Sequence, residues 1–338
     1  MTTASQQQDA RPAQEAPTIS VVICAYSLER QEVLREAIDS IGLQSRPPLE
    51  IVLVIDNNPE LLAWARAEFP QVRVCDNAGR GSSEAKNTAT QLAQGEILAF
   101  LDDDAVPAQD WLEKLVEPYA DPQVIGTTGN PVPRWKGGSQ PAWLPIEFYW
   151  TIGCGYRGLP TVTTPVRNPI GASMSFRRAI FEQIGGFSAG LGPNMSRPQA
   201  HGGGEETELG IRAARAFPHG KLLHVPEARV DHEVPPGRTR FAYYRRRCWL
   251  EGKAKAQLSE MVGMGEGLSS ERSYTLKTLP TGVLRGLLDF VRGDRAGLQR
   301  AGAIMAGLAI TTAGYLWGRV GARARGRFPG LRSAPPGP

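Results

Sequence analysis

Cysteine and histidine are scarce in this chain, four of each in 338 residues. Cys24, Cys75, Cys154 and Cys248 stand far apart with no CxxC pair. That spacing excludes a thiolate zinc centre and a disulfide framework, and it points to reduced, buried thiols. A large net charge is also missing. The excess is +4, gathered late at residues 238–247 and 319–332. The basic tail lacks interleaved aromatics and any recognition motif, and Gly/Ala-rich apolar residues precede it, so no nucleic-acid partner is expected. No repeat period is visible. Residues 1–17 are polar and Pro/Gln-rich without an apolar core, so a disordered lead-in rather than an export signal is expected there. The expected compartment is cytoplasmic. Long apolar runs are absent with one exception, the charge-free residues 301–318.

What is present is ordinary globular stock. With 41% hydrophobic and 21% charged residues, the chain can build one large core or two modest ones. Residues 18–24 (TISVVIC) and 50–55 (EIVLVI) read as buried strands. Residues 30–43 read as a helix with apolar positions at Val33, Leu34, Ala37, Ile38 and Ile41. Helices at 61–69 and 82–93 and a short strand at 72–75 follow. The apolar run 97–101 then ends in Asp102-Asp103-Asp104. Alternation of this kind makes a parallel α/β sheet with helices on both faces. Ligands of such sheets bind beyond the carboxyl ends of the strands, where Ala25-Tyr26, Asp56 and Asp102–Asp104 all fall. A bare Asp triplet reads most simply as a solvated turn. Three carboxylates that close, however, repel one another unless a cation sits among them. Oxygen ligands without cysteine point to Mg²⁺ or Mn²⁺.

Further on, a helix at 111–119 and a strand at 124–129 precede a stretch at 130–170 rich in Pro, Gly and aromatics. Trp135, Trp143, Phe148, Tyr149, Trp150 and Tyr156 there suit either loop packing or a sugar ligand. A strand at 171–176 and a helix at 178–184 follow. A glycine run after His201 leads into a helix whose first turn carries Glu205, Glu206 and Glu208, although acids at that position also serve simply as dipole partners. A strand at 222–225, the segment Val230-Asp231-His232 and a basic helical stretch at 240–258 complete the pattern.

Taken in order, VVICAYS, VIDNN, GRGSSEAKNTATQLAQGEILAFLDDD, GASMSFRRAIFEQIGGF and GEETELGIR resemble glycosyltransferase family 2 over residues 18–235. The segments EFYWTIGCGYRG, VRNPIGASMSFRR and CWLEGKAKA are similar to a narrower group. These enzymes transfer glucuronic acid or a related sugar to a glycosyl-polyprenyl phosphate and are typified by glucosyl-dolichyl phosphate glucuronosyltransferases. The resemblance implies the GT-A fold, a Rossmann-like, mostly parallel sheet flanked by helices, here with a helical C-terminal extension. It implies a nucleotide-sugar donor, UDP-linked by default, and a Mg²⁺ or Mn²⁺ cofactor. By the same resemblance Ala25 and Tyr26 sit against the nucleoside, Asp56 takes uracil or ribose, and Lys86 lies near base or phosphate. Asp102 and Asp103 contact ribose and metal shell, Asp104 ligates the metal, and His232 completes a metal set of Asp102, Asp104 and His232. Glu206 matches the second acid of the family's Glu-Asp pair, the general base. Because it is Glu rather than Asp, Glu205 and Glu208 stay candidates. Arg246 and Arg247 loosely match a diphosphate-binding element.

The implied reaction is inverting transfer of a sugar to an acceptor hydroxyl, on a glycan or a lipid-linked sugar. The expected layout is a lead-in at 1–17, a nucleotide-sugar half at 18–129, an acceptor and catalytic half at 130–262 and a helical tail at 263–338. Residues 279–327 read as membrane-associated, either an interfacial helix pair or one marginal span, on the cytoplasmic face. A helix packed on the domain is the alternative. A nucleotidyltransferase of the same fold would carry a Gly-rich basic stretch where this chain has Ala25-Tyr26-Ser27-Leu28-Glu29. A non-catalytic descendant is disfavoured by retention of the three aspartates and Glu206.

Overall fold

A computed structural model of the chain describes residues 16–189, 191, 203–262 and 271–325. Nearly all of the expected lead-in, His201 with Gly202, and the end of the basic tail lie outside the described residues. The early strands are those the apolar runs predict: β1 (Ile19–Ala25), β2 (Glu50–Ile55), β3 (Arg73–Asp76) and β4 (Ile97–Asp102). They pair in parallel in the order β3-β2-β1-β4. Beyond β4 the sheet becomes mixed. β8 (Ser173–Arg177) runs antiparallel beside β4, and β6 (Val124–Trp135) runs antiparallel beside β8. β9 (Lys221–Val234) lies parallel to β6, with the short β5 (Ala105–Pro107) and β7 (Thr164–Pro165) antiparallel along it.

The central strands are apolar throughout because both faces are covered. On one face Val21, Ile23, Leu53 and Ile55 meet Leu34 and Ile38 of α1 (Gln31–Gly42), Leu61 of α2 (Pro59–Glu68) and Trp111 of α4 (Trp111–Val116). On the other, Val22, Val52, Val54 and Phe100 meet Ala85 and Ala89 of α3 (Ser82–Leu92). Phe181 of α5 (Arg178–Ile184) and Leu209 of α6 (Glu205–Ala216) close that second layer. Each large aliphatic side chain buried in this way contributes about 1.5–3 kcal/mol, which fixes the register of β1, β2 and β4 and therefore where their carboxyl ends stand.

The aromatic residues of 130–170 pack rather than line a sugar site. Trp135 stacks edge-on with Tyr149, Phe148 with Trp150 and Tyr244, and Tyr156 with Tyr274. This cluster seats three late helices, α7 (Phe241–Val262), α8 (Leu279–Val291) and α9 (Arg295–Arg325). α9 lies against α7 at backbone distance. A Cβ on Gly252 would strike the Thr311 carbonyl, and one on Gly314 the Trp249 carbonyl. Small residues let the two backbones meet. The stretch Arg295–Gly321 is long and apolar enough to cross a membrane by length and composition, and 28% of its most apolar window is buried. Met305, Leu316 and Val320 of α9 are exposed, as are Leu284 and Val291 of α8, while the partly exposed Trp317 leans on Trp249 of α7 with 6.3 Å between ring centroids. The tail is thus packed on the domain and also presents an apolar surface.

Candidate active site

The ends of β1, β2 and β4 open into a cavity of about 330 Å³. Ala25, Tyr26, Asp56, Lys86, Asp102, Asp103, Asp104, His232 and Arg247 all line it. Two residues that no motif indicated, Arg30 and Arg238, line it too. Arg246, one step further round α7 from Arg247, is exposed and lies outside this lining.

Asp102 ends β4, and the turn of Asp103-Asp104 delivers the chain into β5, whose Ala105 pairs with His232 of β9. That register brings ligand atoms of Asp102, Asp104 and His232 within 4.8 Å of one another. Two carboxylates and an imidazole form a hard-to-borderline donor set that suits a divalent cation. Asp103 Oδ2 in the same cavity is buried without a hydrogen-bond partner among the described residues. Behind the ring, Gly153 (φ +83°) closes a 3₁₀ turn, and a Cβ there would stand 2.9 Å from His232 Cε1. Only glycine allows both the backbone angle and the contact.

Side chains gather around the carboxylates to balance their charge. Arg30 bridges Asp103 and, at 3.1 Å, Asp104; its guanidinium also lies 5.0 Å from the Tyr26 ring centroid. Arg238 donates to Asp104 Oδ2 at 3.2 Å, and His232 Nε2 lies 3.2 Å from Asp104 Oδ1. Burial alone would raise the Asp104 pKa, but His232, Arg30 and Arg238 outweigh it and hold the carboxyl well below the usual range. Burial likewise opposes charge on His232, and Asp104 overrides it, lifting the imidazole to about 10.

Asp56 reaches the cavity from the end of β2, yet it also ties the site together. Its carboxylate accepts from Gly81 N at 3.0 Å and from Asn77 Nδ2 at 2.7 Å. Those bonds hold the start of α3, and so Lys86, in place. Glu205 and Glu206, which begin α6, do not line the cavity themselves but both reach its lining residue Lys86: Nζ is 2.6 Å from Glu206 Oε1 and 3.2 Å from Glu205 Oε1. Glu208, one turn on, faces elsewhere. It pairs with Arg212 at 2.6 Å and accepts from Ser188 Oγ at 2.8 Å, so it is a structural ion pair rather than a base. A metal-suited triad, a set of arginines for anionic oxygens and a carboxylate held behind the lining are what displacement of a nucleoside diphosphate by a hydroxyl requires.

Residues 20–185 match the profile of Glycosyl transferase family 2. A glucosyl-dolichyl phosphate glucuronosyltransferase from Haloferax volcanii is 30% identical over 307 residues, covering 89% of this chain and 96% of that protein. The chain belongs to glycosyl transferase family 2: it is a glycosyltransferase that draws on nucleotide-sugars in glycan assembly. Succinoglycan biosynthesis protein ExoM of Rhizobium meliloti is 27% identical, over 71% of this chain and 74% of its own length. In fold the chain is similar to the mannosyltransferase PcManGT from Pyrobaculum calidifontis, solved with GDP-Man and Mn²⁺. The TM-score is 0.55 and the identity 18%, covering 92% of this chain and 91% of that one.

Proposed function

We propose that the chain is an inverting transferase that moves a hexuronosyl or hexosyl group from a UDP-sugar to a hydroxyl of a polyprenyl-phosphate-linked sugar. It would work at the cytoplasmic face of a membrane, with residues 18–129 serving mainly the donor and 130–262 the acceptor. The observation that carries this reading is the cavity lined by Asp102, Asp104, His232 and Lys86, with Glu206 held 2.6 Å from the Lys86 ammonium directly behind that lining. The Haloferax relative, covered almost end to end, supports the sugar and acceptor class.

Asp102, Asp104 and His232 would hold Mg²⁺ or Mn²⁺, which as a Lewis acid neutralises charge developing on the departing diphosphate. Arg30 and Arg238, relieved of Asp103 and Asp104, then have guanidinium groups to offer the phosphate oxygens, a fork geometry suited to them. Arg247 adds a third cation at the cavity wall. Tyr26, half-exposed at the end of β1, offers a ring to the nucleoside. Glu206 accepts the proton of the attacking hydroxyl, a role that contributes about 10²–10⁴-fold. A base on the wall facing the leaving group is the requirement of single displacement with inversion. Meanwhile α8 and α9 would lie in the bilayer interface with their bare apolar face in lipid and nearby arginines at the headgroups. An in-plane position keeps α9 on α7, whereas spanning would strip that contact away.

The test is nucleoside-diphosphate release from UDP-, GDP- and dTDP-sugars, with and without a polyprenyl-phosphate-linked acceptor, together with Asp104→Ala. Release from a UDP-sugar that needs the lipid acceptor and is lost in Asp104→Ala supports the reading. Equal release in Asp104→Ala with chelator present defeats the metal assignment, and no release from any donor defeats the proposal.

A further inference from the structure

Lys86 lines the cavity, but its ammonium is already engaged. Besides the two glutamates it lies over the Phe187 ring, 5.2 Å from the centroid. Lys86 and Glu205 are buried, and the Glu206 side chain is 18% exposed. Two carboxylates sharing one ammonium leave an excess negative charge in a largely buried site. Such a site keeps a proton on one acid.

The two glutamates are not equivalent. Glu206 has the shorter ion pair, and its Oε1 presses on Gly171, a residue of the cavity wall. Glu205 has the longer one, a 3.4 Å contact from Ser82 Oγ to the same oxygen, and an Oε2 that is buried without a partner among the described residues. An ionised carboxylate with a bare buried oxygen is costly. The proton therefore belongs on Glu205. Consistent with this, burial and then the Glu206 charge push Glu205 up to about 7, while Lys86 overcomes burial to hold Glu206 below its ordinary value.

We propose that Lys86 is the positioning residue of the base: it holds Glu206 as the anion turned to the acceptor and leaves the pair's proton on Glu205. This rests on the proposed function in taking Glu206 as the base. The charged groups facing Glu206 are Lys86 from α3, Glu205 beside it on α6 and Asp102 from the end of β4. A cation held at Asp104 acts on Glu206 alike in every variant, so it does not enter the comparison.

The experiment is the pH profile of kcat at saturating donor for wild type, Lys86→Met, Lys86→Arg and Glu205→Gln, with a UDP titration of each. Removing an opposite charge at this distance moves a carboxyl by about 1–3 units. The acid limb of kcat should therefore climb by about that much in Lys86→Met, with UDP affinity kept. It should return toward wild type in Lys86→Arg and stay at the wild-type position in Glu205→Gln, where a neutral amide replaces an already protonated acid. An unmoved limb in Lys86→Met with weakened UDP binding would overturn the proposal and make Lys86 a nucleotide contact. Should Lys86→Met not fold, a limb that falls in Glu205→Gln overturns it equally, because it would show Glu205 to be ionised beside Glu206. A wild type that transfers no sugar ends the functional reading instead, and that outcome is distinct from either.

Discussion

Loading a divalent cation should expel one proton from His232. The ring donates from Nε2 toward Asp104 Oδ1 at 3.2 Å, while Nδ1 faces Cys154 Sγ at 3.7 Å. With the imidazole raised from 6.5 to about 10 against the pull of burial, the cation-free protein carries imidazolium at neutral pH. A cation held by Asp102, Asp104 and His232 needs the Nε2 lone pair, so that proton must leave. Each pH unit below about 10 costs binding about 1.4 kcal/mol, so cation affinity should rise about tenfold per unit from neutral pH upward. Stability has the opposite sign. A folded pKa above the unfolded one makes the His232–Asp104 pair stabilising fully below pH 6.5, and that contribution is lost as pH rises through about 10. Calorimetric titration of Mn²⁺ in buffers of different ionisation enthalpy counts the proton directly, with close to one released per cation expected near neutral pH. In parallel the Tm of chelator-treated protein should fall through the alkaline range while that of Mn²⁺-saturated protein holds. Affinity that is flat with pH, or the same proton count from His232→Gln, would refute the reasoning.

Glu206→Gln should bind UDP as wild type does and lose about 10²–10⁴ in kcat, read by single-turnover transfer; an unchanged kcat moves the base elsewhere. Gly252→Leu drives a side chain into the α9 backbone and should lower stability by about 1–3 kcal/mol, seen as a reduced denaturant midpoint at constant slope, with Gly252→Ala milder. Replacing the exposed Leu316 and Val320 together by Glu should leave Tm unchanged and remove about 1.5–3 kcal/mol of lipid burial per site, more than tenfold in vesicle cosedimentation. The same pair should raise KM for a lipid-linked acceptor and leave KM for the donor alone; undiminished vesicle binding would remove α9 from the membrane reading.

The legible part of this molecule is the part whose residues are forced. β1, β2 and β4 are continuous apolar runs because helices cover both faces, and no other element accommodates them so well. Their carboxyl ends, and with them Tyr26, Asp56 and the aspartates, could therefore be placed from the sequence alone. β9 could not. Its 14 residues include Pro226 and alternate in burial, so only the apolar start at 222–225 reads as strand. Its partner β5 is three residues long, below any periodic signal, although this pairing is what carries His232 to the acids. Arg30 and Arg238 sit on 3₁₀ turns without a motif. The one available signal was the charge balance, since three adjacent carboxylates, two of them buried, need neutralising. Glu208 was ambiguous for the opposite reason: its partner Arg212 lies at i+4 on the same helix, a spacing that fits an ordinary helical ion pair.

The tail shows how one helix can serve two requirements. α7 presents Tyr243 and Arg247 to the cavity, and five residues after Arg247, about 7.5 Å along the axis, Gly252 presses on α9. A straight helix is stiff over that distance, so whatever fixes α9 also fixes the arginine wall of the site. The alternatives weighed for residues 279–327, a packed helix or a membrane element, are therefore not exclusive. The glycine face of α9 meets the packing requirement, and Met305, Leu316 and Val320 are exposed away from it, a face that would be free for lipid under the proposed function. Exposed apolar surface of this kind marks an interaction site. Joined through α7 to the cavity, it would set the distance from the bilayer surface at which a lipid-borne hydroxyl meets Glu206.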